Sequence, residues 1–295
     1  MIKDYYELTK PGLVYGNLIP LIGGFALGAQ GAVSGVAPAA LLPLLFSAII
    51  GLMLVMASGC VFNNYIDRDI DARMERTRHR PLVAGRISPR SAFVFGISLG
   101  IVGFLVLALG TNLLTVETAA LGFFFYIFMY SLWSKRRTMY AVVIGAFAGA
   151  VPPVVGYTAA AGRIDLGAGI IFLMLVLWQL PHFFAIAIRR ADDYAAANIP
   201  VLPGERGIRT TKIKMMVLII LYLIASASLA LYGYADQTYL VVVVLFGCVW
   251  FALAVQGFWV EETRHWARGM FFFSLIVLMA TFIAMTVGTI SALKF

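Results

Sequence analysis

Three oxygen-bearing side chains recur every four residues at the end of one apolar segment of this 295-residue chain. They are Asn63, Asp67 and Asp71. Four residues of an α-helix advance about 400°, so these side chains would share one face at intervals of roughly 6 Å. Mg²⁺ in proteins takes one or two carboxylates and completes its shell with water and phosphate oxygens. The spacing therefore predicts that Asn63, Asp67 and Asp71 hold Mg²⁺ together with a polyphosphate.

Arginines are dense at the end of this motif and after it. Seven arginines fall between residues 68 and 90. Arg76 and Arg80 are again four apart, and guanidinium groups bind phosphate oxygens in pairs. Asp69 is predicted to point away from the others and to pair with Arg73 or solvent. The alternative is a solvated loop in which acids and bases neutralise each other. Because the charges continue directly from an apolar helix, the sequence favours a site for a metal-bound polyphosphate.

A second acidic group lies further along the chain, after another apolar segment. Asp192 and Asp193 follow Arg189 and Arg190 directly. If the two groups lie on the same side of the membrane, Asp193 would complete a metal site with the first group. Simple ion pairs of these acids with the two neighbouring arginines are the alternative.

Three polar residues beside or inside apolar segments are further candidates. Lys135 follows the fourth segment and is predicted to contact phosphate, unless it only marks topology. Gln179 and His182 lie inside the sixth segment, where polar side chains are costly and often functional. A lone histidine there is equally well explained as a hydrogen-bonded packing residue, so both interpretations of His182 stay open.

The elements that must position these residues are membrane helices. The chain is 62% hydrophobic and 12% charged, with a mean hydropathy of +0.93, which is unlike a soluble domain. Apolar stretches of about twenty residues recur, and a backbone in lipid must satisfy its hydrogen bonds internally. We predict an all-α polytopic membrane protein with a single bundle of about nine transmembrane helices. The predicted spans are 13–30, 41–64, 91–110, 116–133, 140–161, 167–190, 214–233, 238–259 and 269–290.

Basic residues give this bundle an orientation. With the amino terminus in the cytoplasm, all 22 lysines and arginines except Arg163 and Lys294 fall on the cytoplasmic side. The net charge of +8 then reports topology, and nucleic-acid binding is not indicated. Residues 1–295 form one predicted domain. Its loops at 65–90 and 191–213 are predicted to be cytoplasmic and to carry the two acidic motifs.

The positions of the two long loops along the chain suggest parallel four-helix repeats followed by one extra helix. The loops follow spans 2 and 6, so four spans separate them. Small-residue pairs such as Gly24 and Gly28 predict close packing between helices.

The motif around Asn63 resembles the aspartate-rich signature of the UbiA superfamily of intramembrane prenyltransferases. Further segments are similar to one group within it, the protoheme IX farnesyltransferases. The segments that carry this resemblance are Thr9-Lys10-Pro11-Gly12, Ser58-Gly59-Cys60-Val61-Phe62-Asn63-Asn64-Tyr65-Ile66-Asp67-Arg68-Asp69-Ile70-Asp71, Val151-Pro152-Pro153-Val154-Val155-Gly156-Tyr157, Trp178-Gln179-Leu180-Pro181-His182-Phe183, and Asp193-Tyr194 with Asn198-Ile199-Pro200-Val201-Leu202-Pro203.

The resemblance implies transfer of the farnesyl group of farnesyl diphosphate to a vinyl group of heme B, with Mg²⁺ as cofactor. It implies a multi-pass protein of the cell inner membrane, surrounded by membrane lipid, with the active site facing the cytoplasm. Gln179 and His182 would then place the heme acceptor or handle a proton. Docking of a terminal oxidase or of a downstream heme-modifying enzyme is left open.

The sequence departs from the superfamily pattern at the second motif. Many members carry two acids spaced four apart, whereas Asp193 is followed four residues later by Ala197. Three other functions stay open at this point. They are a prenyltransferase with an aromatic quinone-precursor acceptor, a membrane transporter, and a heme chaperone without catalysis.

Overall fold

The computed structural model describes residues 1–31 and 38–292, and every regular element within those ranges is helical. Over the same residues, nine helices are long and apolar enough to cross a membrane, which confirms the predicted spans. Lys294, which was assigned to the far side, lies outside the described residues. The nine helices, numbered spans 1 to 9 in chain order, are Pro11–Gln30, Ala40–Ile66, Pro89–Gly110, Leu113–Ser134, Ala141–Ala161, Leu166–Arg189, Leu202–Leu231, Gln237–Gln256 and Thr263–Gly288.

Span 7 differs most from its predicted bounds, because it begins at Leu202 and not at residue 214. Its first turns carry charged residues, among them Arg206 and Arg209, so hydropathy locates the apolar part of the helix and misses its polar start. Gly207, with φ 80°, interrupts this polar start. The predicted loop 191–213 therefore contains the short helix Ala191–Ala196 and the beginning of span 7.

Spans 1 and 5 approach each other closely through small residues. A methyl group on Gly24 would lie 1.9 Å from the carbonyl oxygen of Pro153, and one on Gly28 would lie 2.5 Å from that of Tyr157. Only a hydrogen atom fits at either position, which confirms the close packing predicted for this pair. Span 5 is held near the centre of the bundle, and residues 151–160 are all buried.

Spans 4 and 5 each contain irregular helical backbone. Span 4 ends in a π-helical stretch, Phe125–Ser134, in which the wider turn shifts the side chains relative to an α-helix. Span 5 consists of two helical segments, Ala141–Gly149 and Val151–Ala161, and the second begins with a proline pair. Irregular backbone at membrane depth is tolerated where it is buried in protein or lines a cavity.

The amino-terminal helix Ile2–Leu8 packs against the end of span 2. Asn64 Nδ2 donates to the backbone oxygen of Leu8 at 2.8 Å. The turn into span 1 places Lys10 in the left-handed region with φ 51°, which is unusual for a residue with a Cβ atom and is associated with functional sites. The Lys10 side chain is thereby brought beside the end of span 2.

Candidate active site

Two adjoining cavities occupy the end of the bundle where the acidic motif lies. The first has a volume of about 440 Å³, and its wall carries Asn63, Asp71 and six basic side chains. The second has a volume of about 480 Å³ and is lined mainly by apolar residues. The cavities share part of their wall, so a long molecule can have a charged end in one and an apolar end in the other. The shared residues are Leu13, Tyr126, Gly145, Phe183, Ile186 and Phe271.

The three predicted ligand residues lie on one face of the helix end, as their spacing indicated. Span 2 ends at Ile66, but the helical hydrogen-bond pattern continues from Asp67 N to Asn63 O at 2.9 Å and from Asp71 N to Asp67 O at 2.8 Å. Asn63 Nδ2 donates to Asp67 Oδ2 at 2.7 Å. All three side chains are buried, and Asp67 is fully so.

Each of the three residues also receives a cationic side chain from another part of the sequence. Lys10 Nζ donates to Asn63 Oδ1, Lys135 Nζ donates to Asp67 Oδ2, and Arg80 Nη1 donates to Asp71 Oδ2. Burial lowers the pKa of Lys10 from 10.5 to about 8, and the positive charge of Arg80 acts in the same direction. The acids and bases therefore form one mixed cluster at the cavity wall.

One oxygen in this cluster has no donor. Asp67 Oδ1 is buried without a hydrogen-bond partner, and buried carboxylate oxygens in that state are rare. A cation would satisfy it. Across the described ranges, no group of three or more His, Cys, Asp or Glu side chains could enclose a metal alone. The donor set fits Mg²⁺, which needs few carboxylates and completes its shell with water and phosphate oxygens.

Two residues of this cluster were not identified from the sequence. Ser131 Oγ accepts from Asn63 Nδ2 at 2.9 Å and donates to the Tyr126 carbonyl at 2.8 Å, a bond that follows the π-helical register. Lys10 lies within a segment that carried the family resemblance, and that was its only signal. It reaches the cluster because the turn before span 1 adopts a left-handed conformation.

Of the two partners predicted for Asp69, Arg73 or solvent, Arg73 was wrong. Asp69 points away from the cluster, as expected, but it accepts two bonds of 2.6 Å from Arg136 and not from Arg73. These bonds hold the pKa of Asp69 below its usual value of 3.8. Arg136 follows span 4 and is 67 residues away in sequence, so helical periodicity could not identify it.

The second acidic group, Asp192 and Asp193, connects the segment after span 6 to other segments of the chain. Asp193 Oδ1 accepts from the backbone N–H of Glu75 at 3.1 Å, and its Oδ2 lies 3.9 Å from Arg190 Nη1. Asp192 pairs with Arg264 at 2.8 Å. Asp193 borders neither the charged nor the apolar cavity, and its assignment as a metal ligand stays a prediction.

Gln179 and His182 of span 6 line the second, apolar cavity. Gln179 Nε2 donates to the carbonyl oxygens of Ala146 and Leu175, both at 3.1 Å. The His182 ring stacks on Trp178, with a centroid distance of 4.9 Å, and packs against Phe271 at 4.7 Å. His182 and Lys135 therefore face different cavities.

A serine fixes the tautomer of His182. Its Nδ1 lies 2.7 Å from Ser274 Oγ, and the single hydroxyl hydrogen of Ser274 is donated to the Phe271 carbonyl at 2.6 Å. Nδ1 must then be the donor, which leaves the lone pair of Nε2 available as an acceptor or a ligand.

Residues 17–276 match the model of the UbiA prenyltransferase family. The chain belongs to this family. It is 47% identical over 278 residues to "Protoheme IX farnesyltransferase" of Protochlamydia amoebophila, covering 94% of this chain and 95% of the relative. It is 45% identical over 287 residues to the protein of the same name from Photorhabdus laumondii, covering 97% and 95%. Membership of the family and the nine apolar helices make the chain a multi-pass membrane protein.

Solved structures of other proteins share this fold. A structure of digeranylgeranylglyceryl phosphate synthase aligns with a TM-score of 0.77 at 20% identity, covering 98% of this chain and 99% of the other. A UbiA homologue from Archaeoglobus fulgidus, bound to GPP and Mg²⁺, aligns with a TM-score of 0.65 at 16% identity, covering 96% and 99%. At these identities the likeness concerns the fold alone.

Proposed function

We propose that the protein transfers the farnesyl group of farnesyl diphosphate to a vinyl group of heme B, giving heme O and diphosphate. Relatives that are 45–47% identical over nearly the whole chain carry the name of this activity. The structural observation that carries the proposal is the wall shared by the two cavities. The diphosphate of the donor in the first cavity can then lie next to the apolar part of the acceptor in the second.

Bond changes in this reaction balance with one added water. The bond between C1 of the farnesyl group and the diphosphate oxygen breaks, and its electron pair leaves with diphosphate. Electrons of the heme vinyl group form the new carbon–carbon bond to the allylic cation. Water adds to the carbon left electron-deficient and loses a proton, so that the product carries a hydroxyl group.

The first cavity is the site proposed for the diphosphate. Arg76, Arg80 and Lys135 line it together with Lys10, and their donors suit the oxygens of a leaving diphosphate. Asn63, Asp67 and Asp71 would hold Mg²⁺, with Asp193 as a further candidate from sequence. Bound Mg²⁺ would neutralise negative charge that builds on the departing group.

The second cavity is the site proposed for the apolar part of the acceptor. His182 lines this cavity, and its ring packs against the aromatic rings of Trp178 and Phe271. Nε2 would place the heme or accept a proton, and Gln179 would add polar contact. Tyr126 and Tyr130 stack with a centroid distance of 6.0 Å beside the first cavity. Their faces would stabilise the allylic cation and keep water away.

We further propose that the protein lies in the cell inner membrane with both acidic motifs facing the cytoplasm. The positive-inside distribution of lysines and arginines supports this orientation. Lys10, Arg80, Lys135 and Arg190 come from four separate parts of the chain and line the same cavity. Docking of a terminal oxidase or a downstream heme-modifying enzyme stays a prediction.

Mass analysis of extracted heme tests the proposed function. Purified protein in detergent receives labelled farnesyl diphosphate with either heme B or hydroxybenzoate, with and without Mg²⁺. We expect labelled heme O only with heme B and Mg²⁺, and none from Asp67→Asn or Asp71→Asn variants that remain folded. Asp192→Asn is the matched control, because its exposed side chain only pairs with Arg264. Prenylated hydroxybenzoate in place of heme O, or normal turnover by Asp67→Asn, would overturn the proposal.

A further inference from the structure

Two adjacent arginines at the end of span 6 differ from Lys10, Lys135 and Arg80, the three bases of the first cavity that bind the acidic motif. Arg189 and Arg190 both line it and are half-buried. Among the residues that the structure describes, Arg189 has no hydrogen bond or ion pair to a carboxylate. The nearest carboxylate oxygen to Arg190 belongs to Asp193, at 3.9 Å. Lys10, by contrast, is already bound to the acidic motif.

Positive charge accumulates around Arg189. Arg190 follows it directly in the sequence and lines the same cavity. Like charges held together in a partly buried place repel each other, and an anion is what makes such an arrangement favourable. The guanidinium fork matches a carboxylate or a phosphate in geometry. The two arginines therefore offer an anion site in the cavity wall.

The side chain of Phe271 lies between this anion site and His182. The guanidinium carbon of Arg189 lies 5.5 Å from the centroid of the Phe271 ring. Phe271 lines both cavities, and its centroid is 4.7 Å from that of His182. The wall thus runs from two arginines, over Phe271, to His182.

We propose that Arg189 and Arg190 bind the carboxylate groups of the acceptor. Resting on the proposed farnesyl transfer to heme B, these are the propionates of heme B, and the porphyrin then extends along Phe271 toward the apolar cavity. The diphosphate is served by a separate set, because Lys10, Lys135 and Arg80 lie at the acidic motif. One cavity would then receive two anionic groups at two distinct places.

Esterified heme provides the test. KM is measured for heme B, for its dimethyl ester and for farnesyl diphosphate, with product identified by mass. For the unaltered protein we expect the ester to have a KM about tenfold higher than heme B, the size of effect seen when charged hydrogen bonds are lost. The Arg189→Gln/Arg190→Gln variant should raise the KM of heme B to that of the ester. It should leave the KM values of the ester and of farnesyl diphosphate unchanged.

Two further variants guard against indirect effects. Arg137→Gln removes an exposed arginine that borders neither cavity and should change none of the three KM values. Arg189→Lys/Arg190→Lys keeps the charge but not the fork, and it should raise the KM of heme B by an intermediate amount. It also tests the inference if the glutamine variant does not fold.

Three outcomes would overturn the inference. The unaltered protein could use heme B and its ester equally well, the glutamine variant could still distinguish them, or that variant could raise only the KM of farnesyl diphosphate. The last result would assign the arginines to the diphosphate. Absence of any farnesylated heme from the unaltered protein would instead reject the proposed function. Titration of heme B and its ester by absorbance, without farnesyl diphosphate, would then still test the arginines.

Discussion

Asn63 donates one amide hydrogen to Asp67 Oδ2 at 2.7 Å and the other to Ser131 Oγ at 2.9 Å. Because both amide hydrogens are engaged, the orientation of the amide is fixed, and Oδ1 faces Lys10 at the cavity wall. An asparagine is well suited to this place, since it supplies a neutral oxygen while its nitrogen orients the neighbouring carboxylate.

Removing the hydroxyl group of Ser131 should loosen this orientation without touching a substrate. We expect Ser131→Ala to lower kcat/KM for farnesyl diphosphate about 3- to 10-fold, the value of one hydrogen bond. In the same variant, the concentration of Mg²⁺ needed for the half-maximal rate should rise. Steady-state kinetics over a Mg²⁺ series measure both effects. Ser131→Thr should restore them, and an unchanged Mg²⁺ dependence in Ser131→Ala would contradict a role in positioning Asn63.

Tyr126 should act through the face of its ring. It lines both cavities, and cation–π attraction amounts to about 0.5–2 kcal/mol. Tyr126→Leu is therefore expected to reduce kcat by about 2- to 30-fold and to release more farnesol, since water would capture the cation. Tyr126→Phe keeps the face and should remain within about threefold of the unaltered protein. The ratio of farnesol to heme O among the products, measured by mass, tests this role of the ring. An equal loss of kcat in both variants would assign the effect to the hydroxyl group.

Gly24 provides a stability prediction away from the cavities. A Cβ atom added at Gly24 would lie 1.9 Å from the carbonyl oxygen of Pro153. That oxygen belongs to the backbone and cannot move away by a side-chain rotation. We expect Gly24→Ala to separate spans 1 and 5 at a cost of about 1–3 kcal/mol, measured as a lower midpoint of thermal unfolding in detergent. Gly169→Ala is the control, because no atom lies within 4 Å of the added methyl group. Equal midpoints for the two variants would show that this contact is not tight in solution.

Asp165 should make stability depend on pH. It accepts from the backbone N–H of Gly167 at 3.0 Å at the start of span 6, from Tyr157 Oη at 2.7 Å, and from Arg163 Nε at 3.0 Å. Burial raises its pKa, but the bonds from Tyr157, Arg163 and the backbone N–H of Ala168, together with the charge of Arg163, outweigh burial, and the net pKa lies below the usual 3.8. A lowered carboxyl pKa stabilises the fold above pH 3.8, and that contribution disappears as pH falls through the lowered value.

The measurement for Asp165 is a pair of unfolding curves. Asp165→Ala should lower the unfolding free energy at pH 7 by about 1 kcal/mol, the usual value of a helix cap. The difference from the unaltered protein should shrink as the pH is lowered below 3.8. Asp236→Ala removes the cap of span 8, where Oδ1 accepts from Tyr239 N at 2.8 Å, and serves as a comparison at a second cap. A stability difference that grew toward acid pH would contradict a lowered pKa for Asp165.

Local periodicity accounts for what the sequence predicted well. Runs of about twenty apolar residues located nine spans, and the spacing of Asn63, Asp67 and Asp71 located a common ridge, since both depend on neighbours along the chain. The partners of that ridge depend on packing between distant segments. Lys10 is 53 residues from Asn63 and Lys135 is 68 residues from Asp67. No pattern in the sequence encodes such distances.

Backbone irregularity accounts for the rest of what was missed. Ser131 reaches Asn63 from a π-helical turn, and regular helical spacing gives no sign of where such a turn begins. Asp69 was paired with the wrong arginine for a similar reason, because the loop after span 4 supplies Arg136. The start of span 7 was placed too late because hydropathy marks the lipid-facing length of a helix and not its hydrogen-bonded end.

The shared wall also limits how selectivity can be altered. Side chains such as Tyr126, Phe183 and Phe271 border both cavities, so a change of size or shape at any of them alters the fit of donor and acceptor together. Trp178 borders only the apolar cavity and Arg76 only the charged one. Independent adjustment of the two specificities is therefore confined to residues of this second kind, and engineering of a new acceptor should begin there.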